Sequence, residues 1–224
     1  MTELDAVLFD LDETLCDYSR SAKDVLATTF DRVGVEPFFD VYDYYGRFDE
    51  FVREGDDIRD VRQRGFATFA NEQGYDRDVG QALAEAFTEE RDHTNVQFLP
   101  GAERAFEHMR EHYEVAIVTN GDPWMQSQKL AGLGIADRVE TVIHGGHDAP
   151  YKPDPVPFYT ALDELGVDAR RSIHVGNSLE SDVAGARNAG VRSVWLDGHS
   201  DIDPDPVPDY RVESMHEVAR EPWA

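Results

Sequence analysis

The chain opens with four apolar residues in a row, Ala6–Val7–Leu8–Phe9, followed at once by the polar run Asp10-Leu-Asp12-Glu-Thr14. An apolar run without alternation predicts a short strand buried on both faces, as in a parallel sheet covered by helices on either side. Between residues 17 and 97 the periodicity is helical. Val25, Leu26, Thr29, Phe30 and Val33 recur at helical spacing before Gly34, and Phe38, Phe39, Tyr42, Tyr45, Phe48 and Phe51 carry the spacing on from Phe38 to Val52. Two further helices are predicted over Ile58 to Phe69 and Val79 to Phe87, separated by the turn Gly74-Tyr75-Asp76. No strand pattern interrupts this stretch, which reads as a small helical bundle. Its aromatic stripe is expected to be core, with the lining of a substrate pocket as the alternative.

After Pro100-Gly101 helices and strands alternate. Ala105, Phe106 and Met109 fall on one helical face, and apolar runs predict strands at Val115–Val118, Val139–Ile143, Ser172–Val175 and Val191–Leu196. Helices fill the intervals: Pro123 to about Leu133, a segment through Phe158, Leu162 and Leu165 to Gly166, and one ending at Ala189-Gly190. The acidic, proline-rich stretch Ser200–Pro208 is predicted to be a surface loop, ahead of Tyr210-Arg211-Val212 and a helix-like Ser214–Ala219. Alternation of this kind predicts an α/β domain, a parallel sheet between two helical layers, built from residues 1–16 and 98–224 around an insertion at 17–97.

Composition narrows the class. Hydrophobic residues make up 41% and aromatics 11%, as in a globular domain, and no apolar run approaches the ~20 residues of a membrane span. The start, Met-Thr-Glu-Leu-Asp, lacks the basic and apolar regions of a secretory signal, and the lone Cys16 excludes an internal disulfide, so a cytoplasmic location is expected. The net charge of -25 is spread along the chain and argues against nucleic acid or a membrane surface as partner. Lysine is confined to Lys23, Lys129 and Lys152, with arginine supplying the other basic residues. An acidic, lysine-poor surface of this kind suits a halophilic protein, in which salt screens self-repulsion, with an acidic isoform adapted to other conditions as the alternative. In such a chain each remaining lysine is a stronger candidate for a specific role.

The polar residues at predicted strand ends form a set suited to phosphoryl transfer. The first strand ends at Asp10 and Asp12, the second at Thr119 and Asn120, and the fourth at Asn177, Ser178 and Asp182, while Lys152 precedes a helix. In open α/β sheets ligands bind beyond the carboxyl ends of the strands, so these residues are expected at one edge. Each has a plainer reading: an aspartate after a strand can be a turn residue, Asn120-Gly121 a turn pair, and Asn177 a helix cap. His144 and His147 lie in a glycine-rich loop without cysteines nearby and are expected to be loop histidines rather than a metal site.

Four ordered motifs, Asp10-Leu-Asp12-Glu-Thr14, Val118-Thr119-Asn120-Gly121, Lys152-Pro153 and Gly176-Asn177-Ser178-Leu-Glu-Ser-Asp182, resemble those of the haloacid dehalogenase superfamily in its phosphatase branch. The resemblance covers essentially the whole chain. It implies a three-layer Rossmann-like core with the first strand central, and a helical cap domain of the C1 type at the position of the insertion. It implies a magnesium-dependent phosphomonoester hydrolase for a small phosphorylated metabolite. Asp10 would be the nucleophile and Asp12 the acid/base. Thr119, Asn120 and Lys152 would bind phosphate, with Lys152 also neutralising Asp10. Magnesium would fall to Asp10, the Asp12 carbonyl, Asn177 and Asp182. One position departs from the family pattern, Asn177, where phosphatases of this branch usually carry aspartate. A 2-haloacid dehalogenase, which lacks the second acid, a phosphomutase, and a non-catalytic regulatory or binding protein are the alternatives.

Overall fold

The computed structural model describes residues 3–53, 57–198 and 202–224. In chain order the elements are β1 (Ala6–Phe9), β2 (Cys16–Tyr18), α1 (Ala22–Val33), α2 (Val41–Gly46), α3 (Phe48–Phe51), α4 (Ile58–Glu72), α5 (Arg77–Glu90) and β3 (Val96–Phe98). There follow α6 (Ala102–His112), β4 (Glu114–Thr119), α7 (Pro123–Leu133), β5 (Thr141–His144), α8 (Val156–Leu165), β6 (Ser172–Gly176), α9 (Ala184–Ala189), β7 (Arg192–Leu196), β8 (Tyr210–Val212) and α10 (Met215–Val218). The chain divides into two compact units, Met1–Tyr18 with Val96–Ala224, and Ser19–Asn95.

The first unit is built on a six-stranded sheet in the order β5-β4-β1-β6-β7-β8, every pairing parallel. Each residue of β1 is fully buried, which is why the strand carries no polar position. Successive side chains point to opposite faces. Val7 and Phe9 pack with Ala105, Phe106 and Met109 of α6, Leu130 of α7 and Met215 and Val218 of α10. Leu8 faces the other way, with Phe158, Ala161 and Leu162 of α8 and Ala186 and Ala189 of α9. The sheet is thus sandwiched between two helical layers. Buried Cys16 belongs to the first of these cores, and burial, with Asp12 close by, pushes its thiol up to about 12, far from a reactive thiolate.

The insertion expected over 17–97 corresponds to the compact unit Ser19–Asn95. Residues 16–18 and 96–98 form β2 and β3, an antiparallel pair in which Cys16 opposes Phe98 and Tyr18 opposes Val96. The chain therefore leaves and re-enters the first unit side by side. Three-residue strands carry too few positions for alternation to show in the sequence.

The second unit is helical. Val25, Leu26, Phe30, Phe39, Tyr44, Phe51, Phe66, Leu83 and Phe87 form its core. Most of the aromatic stripe is core, but Tyr42 and Tyr45 are exposed. The single helix expected over Phe38 to Val52 is two short ones. Asp40 and Asp43 make a reciprocal capping box that fixes the start of α2 at Val41, and the backbone leaves helical geometry at Arg47 after the weak helix former Gly46. Of the loop predicted over Ser200–Pro208, residues 200 and 201 lie outside the described residues, and Ile202 to Pro208 contain no helix or strand.

Candidate active site

The carboxyl ends of β1, β4 and β6 lie side by side, at the point where the chain order reverses on either side of β1. Asp10 is the first residue past β1. Its backbone N–H donates to Val175 O at 2.9 Å, which continues the β1–β6 pairing by one step. The chain then turns sharply, with Glu13 in left-handed conformation at φ 56° and the N–H groups of Leu15 and Cys16 both reaching Leu11 O. That turn puts the buried Thr14 hydroxyl 3.3 Å from Asp10 Oδ2 and 3.4 Å from Asn177 Oδ1.

Lys152 is the cation of the site. Its side chain is 1% exposed, and Nζ donates to Asp10 Oδ1 at 2.8 Å, Asp182 Oδ1 at 2.6 Å and Val118 O at 2.7 Å. All three ammonium hydrogens are thereby used. Burial works against the charge, yet the two carboxylates outweigh it and hold the lysine above its ordinary pKa. The two aspartates part company. Burial pushes Asp10 up, with Lys152 pulling down and Asp182 raising it further. Asp182 is buried as well, but Lys152 and His174 together hold its carboxyl below the usual range. His174, fully buried on β6, contacts Asp182 Oδ1 at 3.0 Å; desolvation keeps its pKa low, so the neutral ring donates. Ser178 N–H donates to Asp182 Oδ2 at 3.0 Å. Close approach of the strand end requires Gly176, since a Cβ there would lie 2.3 Å from Asp182 Cγ.

The Asn120 side chain, expected to donate to phosphate, also holds the Lys152 loop. Its Oδ1 accepts from Lys152 N–H at 2.8 Å and Nδ2 donates to Lys152 O at 3.0 Å. Only the second amide hydrogen and the backbone N–H remain for a ligand. Thr119 is better placed, because its oxygen accepts from Gln126 Nε2 at 2.8 Å and Gly121 N–H at 3.2 Å, leaving the hydroxyl hydrogen free to donate.

Asp12 has partners that sequence reasoning missed. Lys129 Nζ forms an ion pair with Asp12 Oδ1, and Gln126 Nε2 donates to Oδ2 at 2.8 Å. Both come from α7, three residues apart, and Gln126 and Lys129 are buried where a helix surface would normally be wet. The scarcity of lysine was the one signal that pointed at Lys129. Trp195 on β7 is a second omission; its Nε1–H donates to Asn177 O at 2.9 Å and fixes that loop. The rings of His144 and His147 both contact Asp148, but only His147 lies in the loop; His144, expected there, is the last residue of β5, paired in register with Thr119.

Asp10, Asp12, Thr119, Lys152, Asn177 and Asp182 line one cavity of about 300 Å³. Its available donors for a metal are all oxygen: Asp10 Oδ2 with one long contact, Asn177 Oδ1, and the outer side of Asp182 Oδ2. Such a set fits a hard divalent cation such as magnesium and suits zinc or copper poorly. Asp182 has less to offer than the sequence suggested, because Oδ1 is already committed to Lys152 and His174.

Residues 4–190 match the model of a hydrolase family, the haloacid dehalogenase-like hydrolases. The chain belongs to that family. Among haloacid dehalogenase-like relatives, a phosphoserine phosphatase of Thermus thermophilus is 39% identical over 159 residues, 70% of this chain and 63% of that protein. The match thus spans less than two thirds of that relative's length. A ribulose-1,5-bisphosphate 5-phosphatase of Halopiger xanaduensis is 30% identical over 218 residues, covering 88% of this chain and 87% of that one. The crystal structure of a HAD-hydrolase from Bacillus subtilis, bound to magnesium, shares the fold with a TM-score of 0.78 at 21% identity, over 98% of both chains.

Proposed function

We propose that the chain is a magnesium-dependent phosphomonoester hydrolase acting on a small phosphorylated metabolite, with Asp10 as nucleophile and Asp12 as acid/base. The observation that carries this reading is the position of Asp10, a buried carboxylate with one oxygen on the Lys152 ammonium and the other directed to the cavity beside Thr14 and Asn177. Asp10 Oδ2 attacks phosphorus, the ester oxygen leaves, and the departing oxygen takes a proton from Asp12. An aspartyl-phosphate results. Asp12 then removes a proton from water, the water oxygen attacks phosphorus, and the Asp10 carboxylate is released with inorganic phosphate. Lys152 holds Asp10 in place and offsets the incoming negative charge, while the Thr119 hydroxyl donates to a phosphoryl oxygen. Asp10, the Asp12 carbonyl, Asn177 and Asp182 would hold magnesium, which would supply the further positive charge that a phosphoryl group requires. The Ser19–Asn95 unit is the counterpart of the family's cap and the part that selects among small substrates.

The test is phosphate release from a panel of phosphorylated sugars, nucleotides, glycolate and serine, with and without magnesium. Asp10→Asn is expected to abolish turnover on every substrate that the unaltered chain accepts, with little change in melting temperature, because an amide is a poor nucleophile. Near-normal turnover by that variant, or no phosphate release by the unaltered chain from any of them, refutes the reading.

A further inference from the structure

The last two turns of α6 carry His108, Glu111 and His112, beside the face that buries Ala105, Phe106 and Met109. One ligating atom from each of the three lies within 4.8 Å of those of the other two. His108 is half-buried, and Glu111 and His112 are exposed. Two histidines four apart on one helical face are the spacing with which helices hold zinc.

Three further observations point the same way. His112 Nδ1 lies 2.8 Å from His108 O, an acceptor only, so Nδ1 carries the hydrogen and the lone pair is left on Nε2. His108 Nε2 lies 2.7 Å from Glu221 Oε1, whose other oxygen accepts from the Tyr113 hydroxyl at 2.8 Å. A carboxylate or carbonyl behind each imidazole is the outer-shell arrangement that orients metal-ligating histidines and raises their basicity. The group also sits at the carboxyl end of an eleven-residue helix, where the macrodipole favours a cation. Two carboxylates, Glu111 and Glu221, are present to balance two positive charges. The donors are mixed nitrogen and oxygen, unlike the all-oxygen set around Asp10.

We propose that His108, Glu111 and His112 form a binding site for a zinc-class divalent cation, with Glu221 as the outer-shell partner of His108. The site lies at the start of β4, whereas the catalytic residues lie past its end, so the cation takes no part in the hydrolysis. It would link the end of α6 to the C-terminal segment that carries Glu221, and so raise stability by mass action.

The experiment titrates zinc into the full chain by calorimetry at about pH 8, where ordinary histidines are neutral, with excess magnesium to fill the oxygen site. One zinc per chain is expected. His112→Ala is expected to abolish that isotherm and Glu111→Gln to weaken it, and both residues are exposed, so neither change disturbs the core. Glu221→Gln is expected to weaken zinc binding by about tenfold, as loss of an outer-shell carboxylate does. His147→Ala, in the Asp148 loop, should leave it unchanged. Cobalt added in place of zinc should give visible bands that His112→Ala removes, and zinc should raise the melting temperature of the unaltered chain but not of that variant. No zinc binding by the unaltered chain, or an unchanged isotherm in His112→Ala, overturns the proposal.

Discussion

Asn177 and Asp182 follow the same strand end, yet for metal chemistry they differ: Asp182 is charged and committed, Asn177 neutral and available. Asp182 balances Lys152 and receives a hydrogen bond from His174, both buried. Asp182→Asn therefore leaves a buried ammonium short of its counter-charge, and a loss of about 3–5 kcal/mol in unfolding free energy is expected, read by urea denaturation. Asn177 has no such burden. Replacing it with aspartate adds charge to the ion's surroundings, and the magnesium concentration for half-maximal activity should fall; an unchanged midpoint would remove Asn177 from the ligand set. The pH dependence follows from Asp10. Burial, opposed by Lys152 and reinforced by Asp182, pushes its carboxyl up to about 7, so without metal it binds a proton near neutrality. A cation beside it must displace that proton. The magnesium midpoint should consequently rise as pH is lowered from about 8 to 6, with proton release on binding measurable in buffers of different ionisation enthalpy.

At the scale of elements, α7 is more than cover for the sheet. Its Gln126 and Lys129 reach Asp12 from one helical face, and Lys129 also lies over the Tyr18 ring at 5.1 Å. The pair fixes where the Asp12 carboxylate points. Lys129→Met keeps the apolar stem and removes the cation, and the Asp12 side chain it frees is 41% exposed, so water can solvate it. The expected result is an unchanged or higher melting temperature with kcat reduced about ten- to a hundredfold, the cost of misplacing the acid/base proposed at Asp12. A full rate in that variant would mean that Asp12 orients itself. Neighbouring strands shape the site too: β6 ends in Gly176 because Asp182 fills the space of a side chain, and β7 contributes the Trp195 indole that anchors the Asn177 carbonyl.

Across the whole molecule, charge has the widest reach. Forty-six acidic residues face twenty-one lysines and arginines. Surface pairs such as Arg47–Glu72 and Arg20–Glu90 offset a little of this, and each is weakened by salt. Self-repulsion among the remaining carboxylates is spread over the molecule and is screened by the same salt. With a net charge of -25 repulsion outweighs the pairs, so the melting temperature should rise from low to molar potassium chloride. A flat or falling curve would contradict the halophilic reading of the composition.

Local chemistry and periodicity made much of this protein legible. The unbroken apolar run Ala6–Phe9 marked a strand buried on both faces, because burial on two sides leaves no place for a polar residue. The turn after it, and the polar ends of the later strands, placed Asp10, Thr119, Lys152 and Asp182 in one neighbourhood through the parallel connection rule alone. Pairings between residues far apart in the chain were decided only by tertiary structure. Lys129 and Gln126 find Asp12 more than a hundred positions away, Asn120 braces the Lys152 loop, and His174, inside a predicted strand, finds Asp182. The β2–β3 pair belongs to the same class. The physical reason is common to all of them. A side chain's hydrogen-bonding capacity is written in the sequence, but which partner uses it depends on the distances that packing creates.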